Sequence, residues 1–182
     1  MSSKKQDWIT LSSKTVYENN WIRVNHEDVI TPSGTEGIYG VVHFKGHAVG
    51  IIPIDNEGNT WLVKQTRYTL KQPSWEIPEG GSPEGEDILE TAKRELEEEC
   101  GLKANHWEKL IEIHTSNSVT DEAGTVFIAK TLTAGHQQLE HTEDIELRKL
   151  PLKDAIQMVM EGEITDSLSV AGLLRLACQS YS

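Results

Sequence analysis

Hydrophobic and polar residues alternate along much of the first half of the chain, which is the pattern of half-buried β-strands. The alternation predicts an antiparallel hairpin formed by Ile22–Ile30 and Ile38–Phe44, with a turn containing Pro, Ser and Gly between them. Two further apolar runs, Ala48–Ile54 and Thr60–Gln65, flank a turn rich in Asp, Asn and Gly and predict a second hairpin. This part of the chain is therefore expected to be mostly β-structure.

Polar segments lie before and between the apolar ones. Residues 1–14 are polar, and we expect them to be frayed unless Trp8 and Ile9 hold them in place. Thr115–Gly124 and Ala134–Asp144 are also polar and are predicted to be loops. Further strands are predicted before, between and after these two loops, at Trp107–His114, Thr125–Thr131 and Glu146–Leu150 respectively.

Two helices are predicted at the end of the chain. Pro151 is suited to the first turn of a helix that runs to Glu161 and stops at Gly162. Thr165 or Asp166 caps the last helix, which continues to about Cys178. With one more helix in the middle of the chain, described next, these elements predict a mixed α/β sandwich.

The central helix carries an unusual arrangement of acidic residues. It follows a glycine turn at Gly80-Gly81 and ends at Gly101. At 100° per residue, four apolar side chains form one stripe that should face a core, namely Leu89, Ala92, Leu96 and Cys100. Glu95 and Glu99 stand four residues apart directly beside that stripe. Carboxylates at the edge of a core need a positive partner.

The charge of this helix indicates what that partner is. From Glu86 to Glu99 there are seven acidic residues against two basic ones. Glu98 and Glu99 also lie at the helix C-terminus, where the macrodipole disfavours anions. Convergent carboxylates are the ligands of hard divalent cations such as Mg²⁺ or Mn²⁺. The alternative is an acidic surface helix whose spacing is accidental.

Composition narrows the class of protein. A chain of 182 residues with 37% hydrophobic and 25% charged residues is typical of a globular protein with one main domain. No long apolar run predicts a membrane span, and the formal charge of −12 argues against nucleic-acid binding. Cys100 and Cys178 form no CxxC pair and are expected to be small core residues in a reducing, cytoplasmic protein.

The spacing of fixed residues resembles the sequence box of the Nudix hydrolases. The matching positions are Gly80, Glu86, Arg94, Glu95, Leu96, Glu98, Glu99, Gly101 and Leu102. The resemblance implies an α/β/α sandwich with a mixed sheet, and a metal-dependent hydrolase of nucleoside diphosphates linked to another group. It also implies Mg²⁺, replaceable by Mn²⁺, on Glu95 and Glu99, with Glu98 close by and the carbonyl of Glu79 facing a metal. Arg94 is implied to orient these glutamates.

Flanking segments resemble the ADP-ribose pyrophosphatase and nucleoside diphosphate sugar hydrolase branch of that family. These segments are Gln65–Arg67, Trp75–Gly80, Ser116–Glu122, Glu143–Glu146 and Glu161–Asp166. Glu79 stands where the branch usually has alanine. Asn117-Ser118 stands where strict ADP-ribose pyrophosphatases have a proline, which favours a broader nucleoside diphosphate sugar hydrolase.

The resemblance also implies roles outside the box. Arg67 is a candidate phosphate clamp, or else part of a surface salt bridge, and Glu76 is a candidate contact to substrate or to a partner subunit. Ser118 and Glu122 are candidates for binding the terminal sugar, or belong to an ordinary polar loop. For the loop that follows, Glu143 is the expected ligand of a metal or of its water. Glu140 is the expected general base, with Glu143 and His141 as alternatives.

The N-terminal residues have little chemistry of their own. We expect residues 1–45 to form a small antiparallel β region that pairs two subunits into a homodimer, and residues 46–182 to form the catalytic domain. The predicted function is hydrolysis of ADP-ribose and related nucleoside diphosphate sugars to a nucleoside monophosphate and a sugar phosphate. The alternatives are hydrolysis of another derivative, such as a damaged nucleoside triphosphate, and a non-catalytic domain that senses nucleotide sugars.

Overall fold

A computed structural model describes residues 7–139 and 144–179, which fall into two compact units. The first unit contains the described part of Met1–Gly46 together with Ser116–Glu122. The second contains His47–Thr115 and the described part of Ala123–Ser182. The prediction that Thr115–Gly124 is a polar loop is confirmed for residues 115–122, and Ala123 and Gly124 begin the strand that follows.

The N-terminal unit is built on a three-stranded antiparallel sheet in the order β1 (Ile9–Glu18), β2 (Ile22–Ile30) and β3 (Glu36–Phe44). The hairpin of β2 and β3 is confirmed, and residues 9–14 are not frayed, because Trp8 packs against Tyr39 and Ile9 pairs with Ile30, the alternative that the sequence left open. β1 pairs with β2 over its whole length. Its polar side chains are satisfied across the strands, as in the bond from the Ser12 hydroxyl to Asp28 (2.7 Å). Polar cross-strand pairs stabilise a strand that apolar alternation does not reveal.

Two sheets and three helices make up the described residues of the second unit. One sheet has the order β10-β5-β6 and the other has the order β7-β4-β9-β8, in which β4 and β9 are parallel. The strands are β4 (Gly46–Pro53), β5 (Asn59–Arg67), β6 (Gln72–Glu76), β7 (Glu79–Pro83), β8 (Leu102–His114), β9 (Ala123–Ala134) and β10 (Glu146–Pro151). The helices are α1 (Ile88–Cys100), α2 (Leu152–Met160) and α3 (Ser167–Gln179).

The predicted second hairpin is wrong, although its turn is present. The backbone N–H of Asp55 donates to Asn59 O (3.1 Å), so the chain does reverse there. β4 and β5 nevertheless enter different sheets, since β4 lies between β7 and β9 whereas β5 lies between β10 and β6. β4 is buried from Val49 onward. A strand buried on both faces is suited to the centre of a sheet that is covered on both sides.

The two faces of this sheet system are covered by different helices, which confirms the α/β/α sandwich. Neighbouring residues of one strand point to opposite layers, as Ile51 and Ile52 do. Ile51 packs with Ala92 and Leu96 of α1. Ile52 packs with Leu168 and other residues of α2 and α3. Among the three helices of residues 7–139 and 144–179, α1 therefore covers one side of the sheets, and α2 and α3 cover the other.

The ends of the helices follow the predicted signals. The Asp87 carboxylate caps α1 by accepting from the backbone N–H of Leu89 (2.8 Å), and Gly101 ends it in the left-handed conformation. Asp166 accepts from the backbone N–H of Ser169 at the start of α3 (2.8 Å). Cys100 is buried as expected, but Cys178 is exposed, so its placement in the core is wrong. Among the described residues, the helices are too short or too polar to cross a membrane.

Candidate active site

The box helix α1 places two carboxylates inside the protein. Ala92, Leu96 and Cys100 of its apolar stripe are buried, as predicted. Glu95 and Glu99, one turn apart beside that stripe, are only 9% and 1% exposed. Burying a carboxylate is costly unless it is paired or coordinates a cation. The helical period thus carries two acidic side chains to the edge of the core.

Gly80 is needed for a different reason from the predicted tight turn. It lies in the extended strand β7 and is not among the glycines with positive φ. A Cβ at this position would lie 2.1 Å from Cδ of Glu95 and 2.2 Å from its Oε1. The absence of a side chain at residue 80 therefore provides the space for the Glu95 carboxylate. In the same strand, the backbone N–H of Glu79 donates to Glu99 Oε2 (2.9 Å).

Arg94 connects the box glutamates. Its Nη1 lies 2.8 Å from Glu95 Oε1 and 2.6 Å from Glu98 Oε2. Its Nε lies 3.9 Å from Glu86, which precedes the helix cap. Ion pairs to two carboxylates from one guanidinium restrict the rotamers of both. This placement is the one expected for a residue that orients the glutamates.

Arg67 lies in a second group of charges beside the box. Its Nε lies 3.0 Å from each carboxylate oxygen of Glu76, which is 2% exposed, and its Nη2 also pairs with Glu79 Oε1. Burial opposes the charged form, but the bonds and charges of Glu76 and Glu79 raise the pKa of Arg67. The predicted phosphate clamp is thus already paired with two glutamates, and Glu76 is buried against Arg67.

Sequence reasoning did not assign Asp166 and Ser169 to this group. Burial, followed by the charge of Asp166, raises the pKa of Glu79 well above its ordinary range, while Arg67 opposes that shift. The Ser169 hydroxyl donates to Asp166 Oδ2 (2.9 Å) and accepts from the backbone N–H of Ile77 (2.9 Å). Asp166 was recognisable as a helix cap and as the end of the matching segment Glu161–Asp166, but neither signal places it beside Glu79, and a single serine in an apolar helix gives no sequence signal.

The remaining predicted residues belong to two other segments of the chain. Ser118 and Glu122 belong to the N-terminal unit, where the Tyr39 hydroxyl donates to the carbonyl of Ser118 (2.5 Å). Glu140, His141 and Glu143 lie outside the described residues. The expected base and the expected ligand from that loop therefore stay predictions.

The box residues fit a divalent cation by donor type and burial. Glu95 and Glu99 offer hard oxygen ligands in a water-poor site. Glu79 Oε2 is buried and has no hydrogen-bond partner among residues 7–139 and 144–179. In the same ranges, no three His, Cys, Asp or Glu side chains are grouped closely enough to hold a metal ion. Mg²⁺ is usually bound by one or two carboxylates together with water and substrate phosphates, and the two box glutamates suit that mode of binding.

The carboxylate-rich helix α1, packed on one side of the α/β/α sandwich with Arg94 and Arg67 paired to its surroundings, agrees with the comparisons with known proteins. The family model described as "NUDIX domain" matches residues 45–167. The model described as "Nucleoside diphosphate sugar hydrolase N-terminal domain" matches residues 8–42. The chain belongs to the Nudix family, and it is a Nudix pyrophosphohydrolase of the ADP-ribose pyrophosphatase branch, as predicted. Nudix hydrolases generally use divalent metal ions.

Individual proteins show the same likeness. The chain is 34% identical over 173 residues to the ADP-ribose pyrophosphatase of Mycobacterium tuberculosis, covering 93% of this chain and 83% of that protein. It is 33% identical over 172 residues to the methanol dehydrogenase activator of Bacillus methanolicus, covering 93% and 92%. A crystal structure of an ADP compounds hydrolase superposes with a TM-score of 0.86 at 21% identity, covering 97% and 95%, and supports the fold.

Proposed function

We propose that this protein hydrolyses the pyrophosphate bond of ADP-ribose and related nucleoside diphosphate sugars in the presence of Mg²⁺. The products are a nucleoside monophosphate and a sugar phosphate. The observation that carries the proposal is the pair of buried carboxylates Glu95 and Glu99. Gly80, which has no side chain, leaves the space that the Glu95 carboxylate occupies. The relative named ADP-ribose pyrophosphatase and the matched nucleoside diphosphate sugar hydrolase N-terminal domain support the substrate class.

The proposed chemistry assigns each group a role. Glu95, Glu99, the Glu79 carbonyl and Glu143 would hold a divalent cation, which would supply Lewis-acid catalysis of pyrophosphate hydrolysis. Arg94 keeps Glu95 and Glu98 in position through its two ion pairs.

Substrate binding and proton transfer involve residues outside the box. Arg67 is oriented by Glu76, and it presents its remaining guanidinium N–H groups to a substrate phosphate. Glu76 thus acts on substrate through Arg67, and Ser118 and Glu122 contact the terminal sugar. Glu140 removes a proton from the attacking water, with Glu143 and His141 as the alternative bases.

A panel of substrates tests the substrate class. ADP-ribose, GDP-mannose, UDP-glucose and nucleoside triphosphates are incubated with enzyme and Mg²⁺, and phosphate release is measured with a coupled phosphatase. We expect the nucleoside diphosphate sugars to give the highest kcat/KM. A preference for triphosphates favours the alternative of a damaged-nucleotide hydrolase. Tight binding of a nucleotide sugar without product release favours a non-catalytic sensor instead.

The metal assignment is tested with Glu99→Gln. The amide keeps the shape of the side chain but loses the negative charge that a hard cation needs. We expect turnover to fall by a factor on the order of 10² or more while the fold is retained. The matched control is Glu90→Gln, an exposed glutamate of the same helix that pairs with Lys93, which should keep wild-type activity. Near-full activity of Glu99→Gln contradicts the assignment.

The general base is tested by comparing Glu140→Gln with Glu143→Gln at saturating metal concentration. Loss of general base catalysis typically costs ~10²–10⁴-fold in rate. We expect Glu140→Gln to lower kcat within that range. If it costs less than about tenfold and Glu143→Gln costs more, the base is Glu143 rather than Glu140.

We also propose that residues 1–45 pair two copies of the chain into a homodimer and that residues 46–182 form the catalytic domain. All ten residues of the edge strand β1 are exposed, including Leu11 (59%) and Val16 (59%). An exposed apolar edge strand is a template for pairing with another chain. Light scattering after size-exclusion chromatography should give twice the chain mass. Val16→Lys should lower the measured mass to that of one chain. A wild-type protein with the mass of one chain refutes the proposal.

A further inference from the structure

The polar segment that follows β9, Gly135–Gln138, lies against the last turn of the box helix α1. Four hydrogen bonds join the two: Gly135 N to Gly101 O (2.8 Å), His136 N to Glu97 Oε1 (3.3 Å), Gln137 Nε2 to Glu99 O (2.7 Å) and Gln138 N to Glu98 O (3.0 Å). Three of these bonds come from the backbone. Gln137 is the member of the segment that contributes a side chain.

The end of α1 needs these donors more than an ordinary helix end does. Its last turn carries Glu97, Glu98 and Glu99 and has no basic residue. Anionic side chains at a helix C-terminus oppose the macrodipole. The last carbonyl groups of a helix also lack partners within the helix. The αL residue Gly101 satisfies Glu97 O through its backbone N–H (2.9 Å), and the segment satisfies the next two carbonyls.

Gly101 also allows the segment to approach. A Cβ at this position would lie 3.3 Å from the backbone nitrogen of Gln137 and 3.4 Å from its Cβ, which is closer than comfortable packing allows. The φ of 63° at Gly101 independently favours glycine. The side-chain amide of Gln137 is therefore held directly over the carbonyl of Glu99.

We propose that Gln137 is a positioning residue of the metal site. It caps the carbonyl of Glu99, fixes the last turn of α1 and so holds the Glu99 carboxylate where a divalent cation needs it. The inference rests on the proposed metal role of Glu99. It assigns Gln137 no contact with substrate or cation.

The test is direct Mn²⁺ binding without substrate, measured by isothermal titration calorimetry. Gln137→Met keeps the length of the side chain but removes the donor. We expect it to weaken Mn²⁺ binding by about 3–30-fold, the range between loss of one hydrogen bond and loss of a group supporting a ligand. Gln138→Met is the matched control, because the Gln138 side chain is exposed and its backbone bond is unaffected. It should bind Mn²⁺ within about twofold of wild type.

A second control separates positioning from general weakening of the helix. Asp87→Ala removes the cap at the opposite end of α1. If Asp87→Ala weakens Mn²⁺ binding as much as Gln137→Met, or if Gln137→Met binds like Gln138→Met, the inference is overturned. Glu99→Gln shows which idea has failed. If Glu99→Gln binds Mn²⁺ as tightly as the wild type, Glu99 is not a metal ligand and the metal assignment is wrong. If Glu99→Gln loses Mn²⁺ binding but Gln137→Met binds normally, only the role of Gln137 is wrong.

Discussion

The most direct test of the site is a single methyl group at Gly80. In Gly80→Ala the new Cβ would lie 2.1 Å from Cδ of Glu95, whereas carbon atoms pack at about 3.5–4.0 Å. The carboxyl group must therefore move by about 1.5 Å, which also disturbs its 2.8 Å ion pair with Arg94. Metal–ligand distances tolerate only about 0.2 Å.

The loss of function should exceed the loss of stability. A misplacement of about 1 Å in a catalytic arrangement costs roughly 10²-fold, and we expect a loss of that size or larger in kcat/KM. The atoms that must move are the end of a flexible side chain, and alanine reduces the entropy of the unfolded chain by about 0.4–1 kcal/mol. The free energy of unfolding should therefore change by less than about 1 kcal/mol.

The neighbouring Gly81 gives the control. A Cβ there meets nothing within 4 Å, and neither glycine has a positive φ. Gly81→Ala should keep wild-type kcat/KM and Mn²⁺ affinity. Steady-state kinetics, calorimetric Mn²⁺ titration and urea unfolding are compared for both variants. If Gly80→Ala matches Gly81→Ala in kcat/KM and Mn²⁺ affinity, the reasoning about Glu95 is wrong.

Three further predictions concern the rest of the chain. Asp87→Ala should lower the free energy of unfolding by about 1 kcal/mol in urea titrations, because it removes the cap of α1. A disulfide reagent should modify the exposed Cys178 quickly and Cys100 only after unfolding, because Cys100 is buried and its burial raises the pKa of its thiol. Rapid modification of both thiols in the folded protein contradicts this. The hydrogen bond from Lys149 lowers the pKa of Asp55 in the folded protein. Ionised Asp55 therefore stabilises the fold fully above the pKa that it has in the unfolded chain, and this stabilisation is lost as the pH falls through its pKa in the folded protein. The difference in melting temperature between wild type and Asp55→Asn should therefore shrink between pH 6 and pH 2.

The sequence was enough to locate α1 and its chemistry. The apolar stripe, the cap at Gly101 and the acidic pair four residues apart all depend on the period of a single helix, which is a local property. The burial of Glu95 and Glu99 followed from their position beside that stripe. The spacing of the box then indicated the family, which the comparisons confirmed.

Strand partners depended on the tertiary structure. β4 and β5 are joined by a clear turn, yet each has a neighbour far along the chain, since β4 pairs with β9 and β5 with β10. Local alternation determines which residues face a core but does not determine which strand lies alongside.

The same limit applies to contacts within the site. Gly80 serves the packing of Glu95, Arg67 is paired with Glu76 and Glu79, and Gln137 caps the end of α1. Each of these contacts joins residues that are at least nine positions apart in the sequence. The sequence determined where the buried carboxylates lie, because one helix carries them. Only the tertiary structure determined what holds those groups in place, because those contacts form when separate elements pack together.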